Sequence, residues 1–499
     1  MTALSRAIAR PAPVAGFGER SPLHGLERRR IGVLDLAAQS VAAVAPAAAA
    51  TTVVLLVAGV APGMTVAAIV AAAVLSLGVA RTVAQFARRF AAAGGLYTYT
   101  ARGLGTRAGL AAGAAIVTGY AAVAMFALLG GAYYGTYLLA GLWPALDRPL
   151  VAAGAVVVET AIVAFVLVRG IHVSARVALV VEVLSVALIV VLLGVLLLYV
   201  GPLDVGSVLA MPSTGGEAVA LAAGAVVAVT AFVGFESATT LGVEAVSPLR
   251  NVPRAITGTV VISGALFVLA AVTQVAGFDA LGADLAASAS PLNDLAAAYG
   301  LGGWGVIADV GIAASFVACA IGSTTALVRV LFALSRDGVL PTRFGATHRR
   351  FGTPAAAVSL ALPLIAAVPL LLVGGGVDMR DAMHATLSVG AAGYIVAYIL
   401  VCVAAPVFLR RIGELTLLPT VVAAFSAAAL TAALIAFFVD DTATGGVGLA
   451  VVSVIAVVFG VIVIVLRRRH GSGSIGAYDE PTASEVLGGV PSPRPSSDA

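Results

Sequence analysis

Lysine is absent from this chain of 499 residues, and all 28 basic residues are arginine. Cysteine is nearly absent. Cys319 and Cys402 stand alone in apolar runs, which excludes a zinc or redox motif and leaves both as small packing residues. Charge is scarce as well. Charged residues make up 10% of the chain against 61% hydrophobic, a balance outside that of soluble domains but one that a bilayer can solvate. The net charge of +4 is spread over many loops, so it is no signal for nucleic acid. The first 30 residues hold six arginines but no apolar core of a signal peptide.

The abundant feature is a series of apolar stretches. Twelve are expected to span a membrane: 33–58, 65–86, 107–140, 149–168, 175–200, 217–244, 254–276, 303–333, 354–374, 383–408, 417–439 and 445–466. Most have the roughly 20 residues that a bilayer helix needs. Read this way, every arginine except Arg148 and Arg380 falls on one side of the membrane. That asymmetry places both chain ends in the cytoplasm and the protein in the plasma membrane. Trp143 and Trp304 fall at the outer interface, where indoles prefer to sit. Residues 277–302 form the longest outer loop, and Asp440 and Asp441 lie in another. Residues 1–30 read as a polar cytoplasmic segment. Arg467, Arg468 and Arg469 stop the last span, and residues 467–499 read as a disordered cytoplasmic tail.

Two spans carry interruptions. Pro46 lies in the middle of span 1, where it removes a backbone donor and frees a carbonyl one turn earlier. In span 6, Gly234 and Glu236 interrupt an apolar helix. Broken backbone survives in a bilayer where it lines a cavity or meets a ligand. The breaks open two successive groups of five spans, and paired discontinuous helices point to a transporter's binding site. A proline kink and a chance glycine, each merely packed, is the plainer reading of the same pattern. A carboxylate in mid-membrane costs at least ~2.5 kcal/mol, so Glu236 is expected to face a cavity or a polar partner. Glu159, Glu182 and Asp309 are further buried candidates, for structural pairing or for proton relay. Asp35, Glu244 and His384 lie nearer span ends, where solvation or capping is the expectation.

Four stretches resemble the amino acid–polyamine–organocation superfamily of secondary transporters. They are Gly32-Val-Leu-Asp35-Leu; Phe86 to Tyr99, with Gly94-Gly95; Gly234-Phe235-Glu236-Ser237-Ala238 through Glu244, with Asn251-Val-Pro253-Arg254-Ala-Ile256; and Ser335-Arg336-Asp337-Gly338-Val-Leu340-Pro341, ending in Thr353-Pro354. The resemblance implies an all-α membrane protein of twelve helices. It also implies a five-plus-five inverted repeat, about 31–200 and 217–410, with two extra helices at about 417–466. Alternating access around spans 1 and 6 is implied with it. Positions matching the family's carboxylate site are Ala45, Pro46, Ala47 and Ala48; those matching its ammonium site are Thr230, Ala231 and Val233, with Phe232 and Gly234 also expected at the substrate. Half-helix N-termini attract carboxylates, and exposed carbonyls attract ammonium groups. Glu236 would line the pathway or steady the unwound segment.

Two departures from the family bear on mechanism. Pro46-Ala47-Ala48 replaces a glycine-rich break and leaves less room for close backbone approach. Ser185 stands where several proton-coupled relatives carry lysine, so a lysine switch is impossible here. Ser323 stands where sodium-coupled relatives place a hydroxyl ligand. Sodium coupling through Ser185 and Ser323, proton coupling through Glu182 or Glu159, and uncoupled exchange all remain open. No cofactor beyond Na+ or H+ is expected. The expected function is secondary transport of neutral amino acids, not catalysis. A cationic amino acid or polyamine cargo, with Glu236 as counter-charge, is the alternative, and a membrane nutrient sensor is the rival of another class.

Overall fold

Every backbone group within a bilayer must find its partner inside the protein, which leaves helices as the means for long apolar runs to cross. The computed structural model describes residues 21–443 and 475–480, apart from 147, 203–205, 207–209, 289 and 349. Among these residues the chain is helical, with only isolated bridges and no strand of a sheet. Eleven segments are long and apolar enough to span a membrane. The twelfth expected span, 445–466, lies outside the described residues, as do Asp440 and Asp441 in their side chains.

Span 1 is two helices, α1 (Val33–Val44) and α2 (Pro46–Val60). There follow α3 (Thr65–Ala87), the short α4 (Leu96–Leu104), α5 (Thr106–Leu142), α6 (Pro149–Val168) and α7 (Ile171–Val200). Span 6 begins with α8 (Gly215–Val229) and continues as 3-10 turns at Thr230–Phe232 and Phe235–Leu241. Beyond it lie α9 (Pro248–Leu281), α10 (Pro291–Ala298), α11 (Gly302–Arg336), α12 (Ala355–Gly374), α13 (Met379–Arg411) and α14 (Leu417–Ala443). Most spans run a few residues longer than hydropathy alone indicates, since polar and capping residues extend a helix beyond its apolar core. The expected loop 277–302 contains the end of α9 and all of α10.

The centre is built by α5, α11 and α13 packed around the two broken spans. Small residues set the spacing: a Cβ at Gly393 of α13 would stand 2.6 Å from the Ala115 carbonyl oxygen of α5. Backbones therefore meet directly, as small residues allow in membranes.

The face that carries the chain's N-terminal segment, here the basic face, is sealed. The amides of Arg30 and Ile31 donate to the Glu244 carbonyl at 2.6 and 3.0 Å, and the Val246 amide donates to Ile31 at 2.8 Å. Glu244 was expected to be solvated or capping. It is instead buried, accepting from Arg329 Nε at 2.7 Å and Nη2 at 3.0 Å. A fully buried carboxylate needs such a partner, and Arg329 lies within α11 rather than in a loop. Asp35 does cap, accepting the Gly32 amide at 3.2 Å.

The tail expected to be disordered contains one well-placed stretch. Residues 475–480 are seated on the basic face, and the Asp479 side chain is buried beside Ser21, Arg28 and Arg29.

Candidate functional site

The break in span 1 is a single residue. Ala45 has φ 50° and ψ 59°, the left-handed region, and Pro46 starts α2 at its first position. Proline is suited there, because the first amides of a helix have no internal partner. Ala47 and Ala48 therefore present free-ended amides at the positive end of α2. The Ala47 amide reaches Glu182 Oε1 at 3.4 Å, and the Ala48 amide reaches Ser315 Oγ at 3.4 Å. Ser315 Oγ donates in turn to Glu182 Oε1 at 2.9 Å. Glu182 Oε2 has no hydrogen-bond partner among the described residues, although the residue is only 1% exposed.

The break in span 6 is longer. Val233 is extended at φ −57° and ψ 141°, and Gly234 is left-handed at φ 99°. A Cβ at Gly234 would lie 2.6 Å from the Ala43 carbonyl oxygen, so only glycine fits this contact. Serine hydroxyls stitch the two breaks together. Ser40 Oγ donates to the Phe235 carbonyl at 2.7 Å, and Ser237 Oγ donates to that of Gln39 at 3.2 Å. Gln39 Nε2 donates to the Gly322 carbonyl of α11 at 2.7 Å.

Between the breaks lies a small cavity of about 20 Å³, room for about one water. Its wall is formed by Ala45, Ala48 and Thr52 of span 1, Thr230 and Val233 of span 6, Val123 and Phe126 of α5, Phe316 and Cys319 of α11, and Leu387 of α13. No charged side chain lines it. On the side away from the basic face it adjoins a 130 Å³ pocket that shares Thr52, Phe126 and Leu387 and adds Arg380 and His384. That pocket shares Tyr133 with a 900 Å³ vestibule edged by Arg148, Asp309 and Asp378.

Of the ten expected binding residues, Ala45, Ala48, Thr230 and Val233 line the cavity. Pro46 and Ala47 shape the α2 terminus behind it. Ala231 and Phe232 point to the far side of span 6, around a closed gap shared with Ile69 and Phe267. Gly234 is used against Ala43. Glu236 does not line the cavity either. Tyr120 of α5 donates to its Oε1 at 2.8 Å, and Tyr398 of α13 donates to its Oε2. These bonds tie the unwound segment of span 6 to α5 and α13.

The sodium pair does not form. Ser185 donates to its own helix at the Val181 carbonyl, 2.9 Å away, and its Cα lies against Gly311 of α11. Ser323 is twelve residues further along α11, about 18 Å at 1.5 Å per residue. Its hydroxyl lies 3.9 Å from the Cys319 thiol. Glu159 is packed against Gly131 of α5, away from the breaks. Asp309 accepts from Asn293 Nδ2 at 2.6 Å at the vestibule edge. Ser315, Tyr120 and Tyr398 are functional candidates that sequence reasoning missed. A hydroxyl in mid-span was the available signal, shared with too many other residues to single them out.

The amino acid permease family profile matches residues 35–471, most of the chain. The chain belongs to the amino acid permease family. This permease is 31% identical over 356 residues to an uncharacterized transporter of Mycobacterium tuberculosis, covering 68% of this chain and 73% of that one. It is 26% identical over 307 residues to the branched-chain amino acid permease BcaP of Bacillus subtilis, covering 59% and 64%. Among solved structures, MhsT in complex with L-phenylalanine matches with a TM-score of 0.51 at 15% identity, covering 82% of this chain and 97% of that one. A manganese transporter of Eremococcus coleocola matches at 0.54 and 14%, covering 90% and 98%. One of these structures holds an amino acid and the other transports a metal, so the shared fold leaves the cargo to the site. The permease is a multi-pass membrane transporter.

Proposed function

We propose that this permease carries neutral amino acids with apolar side chains across the plasma membrane by alternating access. The observation that carries this reading is the pairing of the α2 N-terminus, whose Ala47 and Ala48 amides make only long contacts of 3.4 Å, with an unwound span 6 across a cavity that has no charged wall among the described residues. A zwitterion's carboxylate is suited to the Ala47 and Ala48 amides, and its ammonium to carbonyls of Thr230 to Val233. Val123, Phe126, Phe316 and Leu387 then meet the side chain. A cationic cargo would need a counter-charge, and both oxygens of Glu236 already hold tyrosine hydroxyls. The cavity of 20 Å³ must widen around such a ligand, as expected where lining helices move.

The arginine asymmetry supports cytoplasmic ends. An even number of crossings is supported by residues 475–480 lying on the same face as residues 21–31. The breaks falling in the first span of each half support the five-plus-five arrangement. With this orientation the structure is closed to the cytoplasm and approached from outside. We further assign Glu182 as the site of a coupling proton. Its spare oxygen and its position at the α2 terminus favour it over a sodium ion at Ser185 and Ser323. As an anion Glu182 competes with the cargo's carboxylate for the same amides; once protonated it does not.

The test is uptake into proteoliposomes of labelled leucine, isoleucine, valine, alanine, arginine, glutamate and putrescine, under sodium or proton gradients. The expected result is uptake of the aliphatic amino acids, driven by an inward proton gradient and indifferent to sodium. Uptake of arginine or putrescine in preference to leucine would overturn the cargo assignment.

A further inference from the structure

The contacts of residues 475–480 form a built site rather than a resting place. The Gly476 and Ala477 amides donate to Asp337 at 2.8 and 3.2 Å, and Asp337 also accepts the Tyr97 hydroxyl at 2.6 Å. Arg102 Nε donates to the Gly476 carbonyl at 3.1 Å, and its guanidinium lies 4.6 Å from the centre of the Tyr478 ring. Tyr478 meets Phe90 edge to face at 4.9 Å. The Asp479 amide donates to the Ala91 carbonyl at 2.8 Å. Its carboxylate, fully buried, accepts from Ser21 at 2.7 Å, Arg29 Nη2 at 2.7 Å and Arg28 Nη2 at 3.1 Å. Gly476 sits so close to Ala101 that an added Cβ would be 2.9 Å away.

These partners belong to parts that alternating access must separate. Arg28 and Arg29 precede α1, and the backbone from Arg29 to Ile31 is bonded to residues 243 and 244 at the end of span 6. Arg102 and Tyr97 belong to α4, and Asp337 ends α11. The six residues thus join the approach to span 1 to the helices against which it closes. Charge-assisted bonds to a buried carboxylate are among the stronger contacts available for such a join.

We propose that the basic face carries a docking groove for the chain's own residues 475–480, and that the docked segment holds this face of the transport path shut. Release of Asp479 frees Arg28 and Arg29, and with them α1. The groove recognises an extended segment by three features: two consecutive amides for Asp337, an aromatic ring for Phe90 and Arg102, and a carboxylate for the arginine pair. The inference rests on the alternating-access reading, but its tests need no cargo.

Hydrogen exchange on the full chain in nanodiscs tests the docking. The amides of Gly476, Ala477 and Asp479 are expected to exchange at least tenfold more slowly than in a free peptide of the same sequence. Exchange at the free-peptide rate would show the groove empty and overturn the proposal. The second arm uses Thr240→Cys in a Cys319→Ser, Cys402→Ser background, because Thr240 is buried beneath the basic face. Maleimide labelling of this cysteine from the basic side is expected to quicken several-fold when the chain ends at residue 474, and likewise with Asp479→Ala. Tyr478→Ala, which leaves every charge in place, is expected to give a smaller increase and guards against a misfolded truncation. Protected tail amides with unchanged labelling in all three variants would show a tail that docks without holding the gate, and would overturn the latch. If uptake of every amino acid fails while both arms succeed, the cargo assignment falls and the latch stands.

Discussion

Glu182 and Glu236 are the same residue type, both buried near a helix break, yet their surroundings differ in kind. Glu236 has a tyrosine hydroxyl on each oxygen and ties span 6 to α5 and α13. Glu182 shares one oxygen between Ser315 and a long contact to Ala47, and its other oxygen has no partner. A saturated carboxylate serves as a joint, because losing it strands its donors. Glu182, the proposed proton carrier, keeps one oxygen open among the described residues. The difference also explains why the family's span 6 carboxylate need not touch the cargo in this chain.

The largest effect expected from this contrast is on stability. Glu236→Ala strands two buried tyrosine hydroxyls at about 1–3 kcal/mol each, or about 2–6 kcal/mol together. Glu182→Ala strands one hydroxyl, at about 1–3 kcal/mol. Thermal unfolding in detergent should therefore show a clearly lower midpoint for Glu236→Ala than for Glu182→Ala. Equal midpoints would erase the distinction between joint and carrier. Tyr398→Phe comes next. It removes one bond to a carboxylate, worth about 1.5–3 kcal/mol, and should lower the midpoint by less than Glu236→Ala. A midpoint at the wild-type value would show that this bond carries no weight.

Much of this arrangement was legible in the sequence. The apolar runs and Pro46 are one-dimensional signals: the first follow from composition and the second from proline's missing donor. Gly234 was legible as a break, although its actual neighbour is the Ala43 backbone rather than a ligand. The tyrosine clamp was not, because it depends on three spans meeting at one depth. Ser185 and Ser323 looked like partners from alignment alone. Helix phase separates them, since Ser185 meets α11 at Gly311, more than three turns from Ser323. Composition also hid the docked tail. Residues 475–480 lie in a stretch rich in glycine, serine and proline, and nothing in that composition marks the contacts they make.

Coupling gives the next prediction. Glu182→Gln keeps size and one acceptor oxygen but cannot release a proton near neutral pH. Uptake driven by an inward proton gradient should fall at least tenfold, while exchange between equal cargo pools at fixed pH persists. Glu236→Gln should respond to the gradient as the wild type does, because its role is to accept the tyrosines. Gradient-driven uptake that survives Glu182→Gln would remove Glu182 as the carrier. Sodium stimulation that disappears in Ser185→Ala would restore the hydroxyl site in its place.

The smallest effect is expected at Ser315, where the contrast can be sharpened without touching either carboxylate. Its hydroxyl accepts the Ala48 amide and donates to Glu182, so it links the α2 terminus to the proposed proton site. Ser315→Ala removes both bonds and leaves the fold intact; the one to the Ala48 amide, an ordinary hydrogen bond, is worth about 0.5–1.5 kcal/mol. That range corresponds to roughly a two- to tenfold rise in KM for the preferred amino acid. The link predicts more than weaker binding. Without the hydroxyl, Glu182 no longer senses whether the Ala48 amide is engaged, so fewer protons should move per amino acid transported. Cys319→Ala is the matched control, because it alters the cavity wall one turn along α11, where the Cys319 thiol makes no hydrogen bond to Glu182 among the described residues. If both variants raise KM equally and leave the proton-to-cargo ratio at the wild-type value, Ser315 acts only through packing behind the cavity, and the chain from amide to carboxylate has no role in coupling.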